Sequence, residues 1–447
     1  MVSSYHHHHH HHHHLFTFSI LLIHFISTTS SSASFHPKAL VLPVSKDSST
    51  LQYTTKLIQR TPLVTVPLTL DLGTPFLWLW INCGKNIISS TYHPVSCGSP
   101  QCTLANAKIC KTCPSQPTTG CNNNNNNTCA THSLYNPITN ISPPLGGELA
   151  TDVVQIHSTD GSNTGKTVTV TVPNYLFVCA PKSLLQGLPK GVSGIAGLGR
   201  TTVSLPSQFS STFGFPHKFA LCLSSFPSED GVVLFGDGPY NLSSGSDVTT
   251  LFSYTPLIRN PVRPSEYFIG VTAIRILEKD LPLDKSLLSI NNKGNGGTLL
   301  SVIHPYTVME TSIYKSFITT FDTLLEKLYQ LKRVTPVAPF EMCYDSGTFG
   351  YTKIGPFVPD INLVLQNGVS WRIQAMNSLV RVQSIQAYCL GFVDGGRNPR
   401  ASIVIGAYQM EDVLLQFDLA KSSLGFTTSL VPDRIRCSNF NFTSNVV

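Results

Sequence analysis

Short runs in which apolar or β-branched residues alternate with polar ones recur along the chain. Residues 63–70, LVTVPLTL, and 168–172, VTVTV, are the clearest, and their period of two predicts strands with one face in a core. One stretch departs from that period. In 312–331, SIYKSFITTFDTLLEKLYQL, residues Ile313, Phe317, Phe321, Leu324, Leu328 and Leu331 fall at steps of three and four, which predicts an amphipathic helix. A Cys- and Asn-rich excursion, 97–146, is too polar and proline-rich for a core and reads as a disulfide-tied surface insert. A weak internal echo overlies these elements. LTLDLGTPFLW (68–78) is followed by GVSGIAGLG (191–199), and GGTLLSVIHPYTV (296–308) is followed by ASIVIGAYQ (401–409). Two similar halves predict two similar lobes, 35–248 carrying the insert and 249–447.

Composition narrows the class. Only 12% of the 447 residues are charged against 41% hydrophobic, with 31 Gly and 30 Pro, which favours many short strands and turns over long helices. The expectation is an all-β protein. Net charge is +6, but the cations are scattered and no Lys/Arg run of five or more occurs, which argues against nucleic acid. A mildly basic chain suits an acidic polysaccharide matrix, or nothing more than solubility.

The first 34 residues contain no Lys, Arg, Asp or Glu. His6–His14 precedes LFTFSILLIHFIS and then small residues up to Ser34, the order of a secretion signal with histidines where its cations usually stand. No later apolar run reaches about 18 residues, so no membrane span is expected after cleavage. The 12 cysteines are Cys83, Cys97, Cys102, Cys110, Cys113, Cys121, Cys129, Cys179, Cys222, Cys343, Cys389 and Cys437. An even number behind a signal predicts oxidation to disulfides, whose pairing spacing leaves open. Zinc is the alternative, through Cys110 and Cys113 in a CxxC with Cys97, Cys102, Cys121 and Cys129 nearby, but export disfavours it and no metal is expected. Sequons at Asn126, Asn140, Asn241 and Asn441 agree with a secreted glycoprotein.

Asp71 ends an apolar run and raises the question of a catalytic carboxylate pair. DLGTPFLW resembles the D-T-G-S-x-x-L-W motif of pepsin-like aspartic proteases, and VSGIAGLGR, VVLFGDG, YFIGVTAI and SIVIGAYQMEDVLLQFDLAKSSLGF resemble the rest of that family. The resemblance covers nearly all of 39–447 and implies a bilobal pepsin-like fold with short helices. GIAGLGRTTVSLPSQF, RVTPVAPFEMCYDS, VPDINLVLQNGVSW and the ending CSNFNFTS are most similar to a plant secreted group: xyloglucan-specific endoglucanase inhibitors, extracellular dermal glycoprotein and basic seed globulins.

Proteolysis by this fold needs two carboxylates sharing a proton. Asp71 fills the first position, and the resemblance places the second at Ser301, which cannot share a carboxyl proton. The threonines that follow the two aspartates in the proteases are Leu72 and Val302 here, and an alkyl group cannot make their hydrogen bonds. The flap segment ITNISPPLGGELATD offers no tyrosine. Asp345-Ser346-Gly347 spells a catalytic-looking tripeptide, but it follows no apolar strand and reads as a turn beside Cys343.

With catalysis disfavoured and no cofactor expected, the resemblance implies a monomeric apoplastic or cell-wall inhibitor of a microbial endoglucanase in plant defence. The alternative is a peptide-binding or storage globulin, and a residual peptidase using Asp71 stands third. An endoglucanase cleft carries two carboxylates, for which a guanidinium is the natural blocker. The resemblance places Arg434 and Lys353 at the inhibitory positions, with lysine where the family has arginine, and Arg397 and Arg400 at the rim. It also implies Cys343–Cys389 and Cys222–Cys437 bridges. Related xylanase inhibitors use a histidine before the last cysteine; the last histidine here is His304.

Overall fold

The computed structural model describes residues 37–80, 88–111, 128–144, 146–159, 168–238, 240–243, 246–440 and 442. The leader to Ser34, Cys83, Cys113, Cys121, Asn126 and Asn441 lie outside the described residues. Residues 37–447 form one compact unit. Short strands dominate, and 20 of the described ones join in one continuous sheet system. The two halves meet where Lys218–Cys222 pairs antiparallel with Leu414–Asp418. Phe219 stacks on Phe417 at 4.6 Å across that seam, and Tyr267 packs on the same ring.

The alternating run at 63–70 becomes strand Val64–Asp71, and the one at 168–172 opens strand Thr169–Ala180. The long helix runs Thr311–Tyr329, its first turn capped by the Glu310 carboxylate, which accepts from the amides of Ser312 and Ile313. Its buried stripe is Ile313, Phe317, Phe321 and Leu325, at strict steps of four. Leu328, expected on that stripe, is 61% exposed. Gln330 in the left-handed conformation ends the helix and turns Leu331 back into the core, so in the last helical turn Tyr329 packs on the core while Leu328 points away from it.

The insert also differs from expectation. Its strand Thr128–Thr131 is wholly buried and pairs with Gly147–Thr159. Cys102, Cys129 and Leu134 join Phe76 and Trp78 in a small core of their own. The polar side chain of Asn136 is buried because its amide donates to the Leu184 and Gln186 carbonyls while its oxygen accepts from Ile138 and Thr139. Satisfied polar groups let a polar sequence build a core.

Bridges join Cys97 to Cys110, Cys102 to Cys129, Cys222 to Cys437 and Cys343 to Cys389, and Cys179 is also disulfide-bonded. The zinc alternative fails at Cys97, Cys102, Cys110 and Cys129, whose sulfurs are consumed in those bridges. Among the described residues no helix is long and apolar enough to cross a membrane.

Candidate functional site

The internal echo becomes a repeated piece of backbone. Strand Val64–Asp71 runs parallel to Gly194–Gly197 with Asp71 opposite Gly197. Thr298–Leu300 runs parallel to Ile403–Ile405 with Leu300 opposite Ile405, so Ser301 faces Gly406 as Asp71 faces Gly197. Both glycines are required by close approach. A Cβ on Gly197 would strike the carbonyls of Thr74 and Phe76, and one on Gly406 would strike the Tyr306 carbonyl.

The side chains at the two strand ends differ. Asp71 is 4% exposed, and its Oδ2 accepts from the Thr74 amide at 2.8 Å and the Thr74 hydroxyl at 2.6 Å. Burial raises its carboxyl above the usual range, while those bonds, the Gly73 amide and the Arg400 charge pull the other way. Ser301 is also buried, with its hydroxyl 2.9 Å from His304 Nδ1. Burial, aided by the Arg400 charge, pushes His304 down to about 4, so its ring is neutral at ordinary pH. Leu72 and Val302 are fully buried in the common core, where apolar packing stands in place of a threonine pair.

Three residues overlooked in the sequence complete this site. Glu266 is 3% exposed and ion-paired with Arg400, and its Oε2 has no hydrogen-bond partner among the described residues. Burial raises its carboxyl; Arg400 and Arg263 lower it, and Asp71 adds to the rise. Tyr135 lies beside both carboxylates, and burial together with their charges keeps its phenol protonated. The flap segment holds no tyrosine, but Tyr135, three residues before it, takes a place at the cleft. His304 is the third. Phe76, Tyr135, Arg263, Glu266 and Arg400 line a cavity of about 650 Å3. No local motif announced Glu266 or Tyr135, since each reaches Asp71 only through long-range packing.

Asp345 ends strand Cys343–Asp345, which Cys343–Cys389 bridges, and caps the turn after it: its Oδ1 accepts from the Gly347 amide at 2.9 Å.

Among the candidate cations, Arg434, Lys353 and Arg397 are exposed. Arg434 has φ 61° and closes the turn Val431–Asp433. The loop around it is pinned on both sides by Asp412, whose carbonyl accepts from Leu430 N and whose Oδ1 accepts from Cys437 N. Arg436 adds an ion pair to Asp412, and Cys437 is bridged to Cys222. Lys353 sits in the turn of the hairpin joining Tyr351–Thr352 to Gly355–Pro356. Ile354 and Val431 line one cavity of about 290 Å3, so this hairpin and the Arg434 loop stand side by side. Arg397 lies in a turn between Gly396 and Asn398, both at positive φ. Arg400, expected at the rim, lines the cavity it shares with Tyr135 and Glu266, where buried Glu266 demands a counter-charge. Of the two described sequons, Asn140 is exposed in a turn and Asn241 is half-buried in strand Asn241–Ser243.

The xylanase inhibitor N-terminal family matches residues 53–237, and the xylanase inhibitor C-terminal family matches 266–428. The chain belongs to this family. A probable aspartic proteinase GIP2 of Nicotiana benthamiana is 52% identical over 437 residues, 95% of this chain and 96% of its own. The crystal structure of edgp superposes with a TM-score of 0.85 at 48% identity, covering 92% of this chain and all of that one. The crystal structure of basic 7S globulin from soybean gives 0.77 at 38% identity, covering 91% and 99%. An aspartic proteinase from Irpex lacteus is 15% identical with a TM-score of 0.52 over 91% of this chain, which has the bilobal pepsin-like fold.

Proposed function

We propose that the protein is a secreted, monomeric, peptidase-inactive inhibitor of glycoside hydrolases, acting in the plant apoplast on a microbial xyloglucan-specific endo-β-1,4-glucanase of family 12 type. The observation that carries this reading is Arg434: an exposed guanidinium on a loop fixed by Asp412 and by Cys222–Cys437. A loop already ordered loses little entropy on binding, and a planar guanidinium matches the two carboxylates of a glycosidase cleft, about 5–5.5 Å apart in retaining enzymes. Lys353 on the neighbouring hairpin supplies a second positive charge without the fork. Peptidase inactivity is supported by Ser301 in the position equivalent to Asp71, and by Arg400, which neutralises Glu266, the other carboxylate near Asp71.

Mixing the secreted protein with a xyloglucan-cleaving family 12 endoglucanase tests the reading, and inhibition is expected. Arg434→Ala should weaken it by well over tenfold, mainly by faster dissociation, because truncation leaves carboxylates facing a gap at about 2–5 kcal/mol. Lys353→Ala should cost less, and Lys353→Arg should tighten binding. Inhibition of a histidine-sensitive xylanase is not expected, since no histidine follows His304. The likeness to soybean basic 7S globulin favours a second reading, a storage or peptide-binding globulin. That reading wins if no hydrolase is slowed and the protein accumulates in seeds.

A further inference from the structure

A second cavity, of about 690 Å3, adjoins the one lined by Glu266 and Arg400, sharing Thr201, Thr202 and Pro264 with it, and is bounded by both halves of the chain. The turn after strand Gly194–Gly197 and helix Leu205–Phe213 form one side, while Arg259, Pro264 and Ser422 form the other. Its charge is one-signed. Arg200 and Arg259 line it, beside a His217 whose ring burial pulls below its ordinary range towards the neutral form, and none of the described lining residues is Asp or Glu. Arg200 is half-buried: its Nη2 donates to Ser422 Oγ at 2.9 Å, and its Nη1 is buried without a partner. Burial pulls the Arg200 guanidinium below its ordinary range, and the like charge of Arg259 adds to that. Neither arginine has an ion pair among the described residues. Two cations that repel each other in a carboxylate-free cavity call for an anion to relieve them.

The rest of the wall says which kind of anion. Asn174, Ser211 and Thr212 are exposed along it, with Pro173, Pro264 and Leu104 between the polar groups. Tyr175 is 1% exposed and offers no open ring face, and the His217 ring is held at its Nε2 by the Ser207 hydroxyl. The volume falls within the roughly 300–1,000 Å3 of small-molecule sites, so a lone phosphate would leave most of it empty. Hydroxyl and amide groups between arginines suit a ligand with many hydroxyls and spaced carboxylates. We propose that this cavity is a binding site for an acidic oligosaccharide of the uronate class, its carboxylates paired with Arg200 and Arg259. The site is separate from Arg434 and Lys353, which line no part of it.

Calorimetric titration of the intact secreted protein with trigalacturonic acid, its methyl ester, cellotriose and sodium phosphate tests the proposal. The acid should bind saturably, with the methyl ester and cellotriose weaker by about tenfold or more, the scale of a lost charge-assisted contact. Affinity should fall as salt rises through about 0.15 M. Arg259→Ala removes an exposed side chain, so the variant should fold, and it should lose about fivefold or more, with Arg259→Lys recovering part. Arg434→Ala should leave this binding unchanged. Equal binding of acid and ester, phosphate binding as tightly as the uronate, no effect of Arg259→Ala, or loss in Arg434→Ala would each overturn the assignment.

Discussion

Asp71 and Ser301 end parallel strands of the same register, each opposite a glycine that admits a neighbouring carbonyl. Around the first, the backbone holds a carboxylate in a net of donors from Thr74 and Gly73. Around the second, the same backbone holds a hydroxyl against a neutral imidazole. The difference teaches that backbone repetition and side-chain chemistry are separable: glycines and strand register repeat while one strand end carries a carboxylate and the other a hydroxyl. Further charge reaches both strand ends from a distant part of the chain: half-buried Arg400 pairs with buried Glu266, and its charge is felt by Asp71 and by His304.

That pair is where the comparison breaks most easily. Arg400→Ala should cost about 3 kcal/mol in urea unfolding at neutral pH, since Glu266 is left buried with only the charge of Arg263 to offset its own. The loss should shrink in acid, where Glu266 takes up a proton, and Glu266→Gln added to Arg400→Ala should recover most of it. Equal stability of Arg400→Ala and parent would mean the pair contributes nothing.

The Ser301 side has its own signature in pH. Between pH 6.5 and about 4 the unfolded chain holds a proton on residue 304 that the folded chain does not, so acidification through that window should lower stability, by up to about 3 kcal/mol. His304→Gln should remove this slope. Glu411, pushed up to about 7 by burial against the opposing charge of Lys46, contributes in the opposite sense, gaining stability as pH falls from 7 towards 4.5. The difference between parent and His304→Gln is therefore the quantity to measure.

Leu72→Thr places a hydroxyl at a fully buried site and should cost about 1–3 kcal/mol by denaturant titration. Adding Val302→Thr should cost less than the sum of the single changes if the two positions can bond across the halves, and the full sum if they cannot. The smallest effect is expected from Ser301→Asp. No acid-pH digestion of denatured protein should appear, because Arg400 and His304 surround the site; digestion abolished again by Asp71→Ala would reverse that view.

Strand Val64–Asp71, the long helix and the paired glycine strands were legible because hydrophobic period and local turn chemistry are written residue by residue. The insert reading was incomplete: Cys97–Cys110 and Cys102–Cys129 tie a largely exposed segment, but Asn136 and Thr128–Thr131 are buried by contacts that no local pattern displays. Leu328 failed for a related reason: periodicity defines a helical face but not where the core beneath it stops.

By itself the sequence determined that a carboxylate stands at 71 and a serine at 301, that Leu72 and Val302 cannot hydrogen-bond through their side chains, and that cysteines were available to tie the tail. These are properties of single side chains and survive any folding. Only the tertiary structure decided that Arg400 serves Glu266 and lines the cleft, that Tyr135 closes on Asp71, and that Arg200 and Arg259 share a cavity without an acid. Electrostatic partnership depends on distance and burial, and residues 134 positions apart, like Glu266 and Arg400, acquire both only when the strands between them have been laid down.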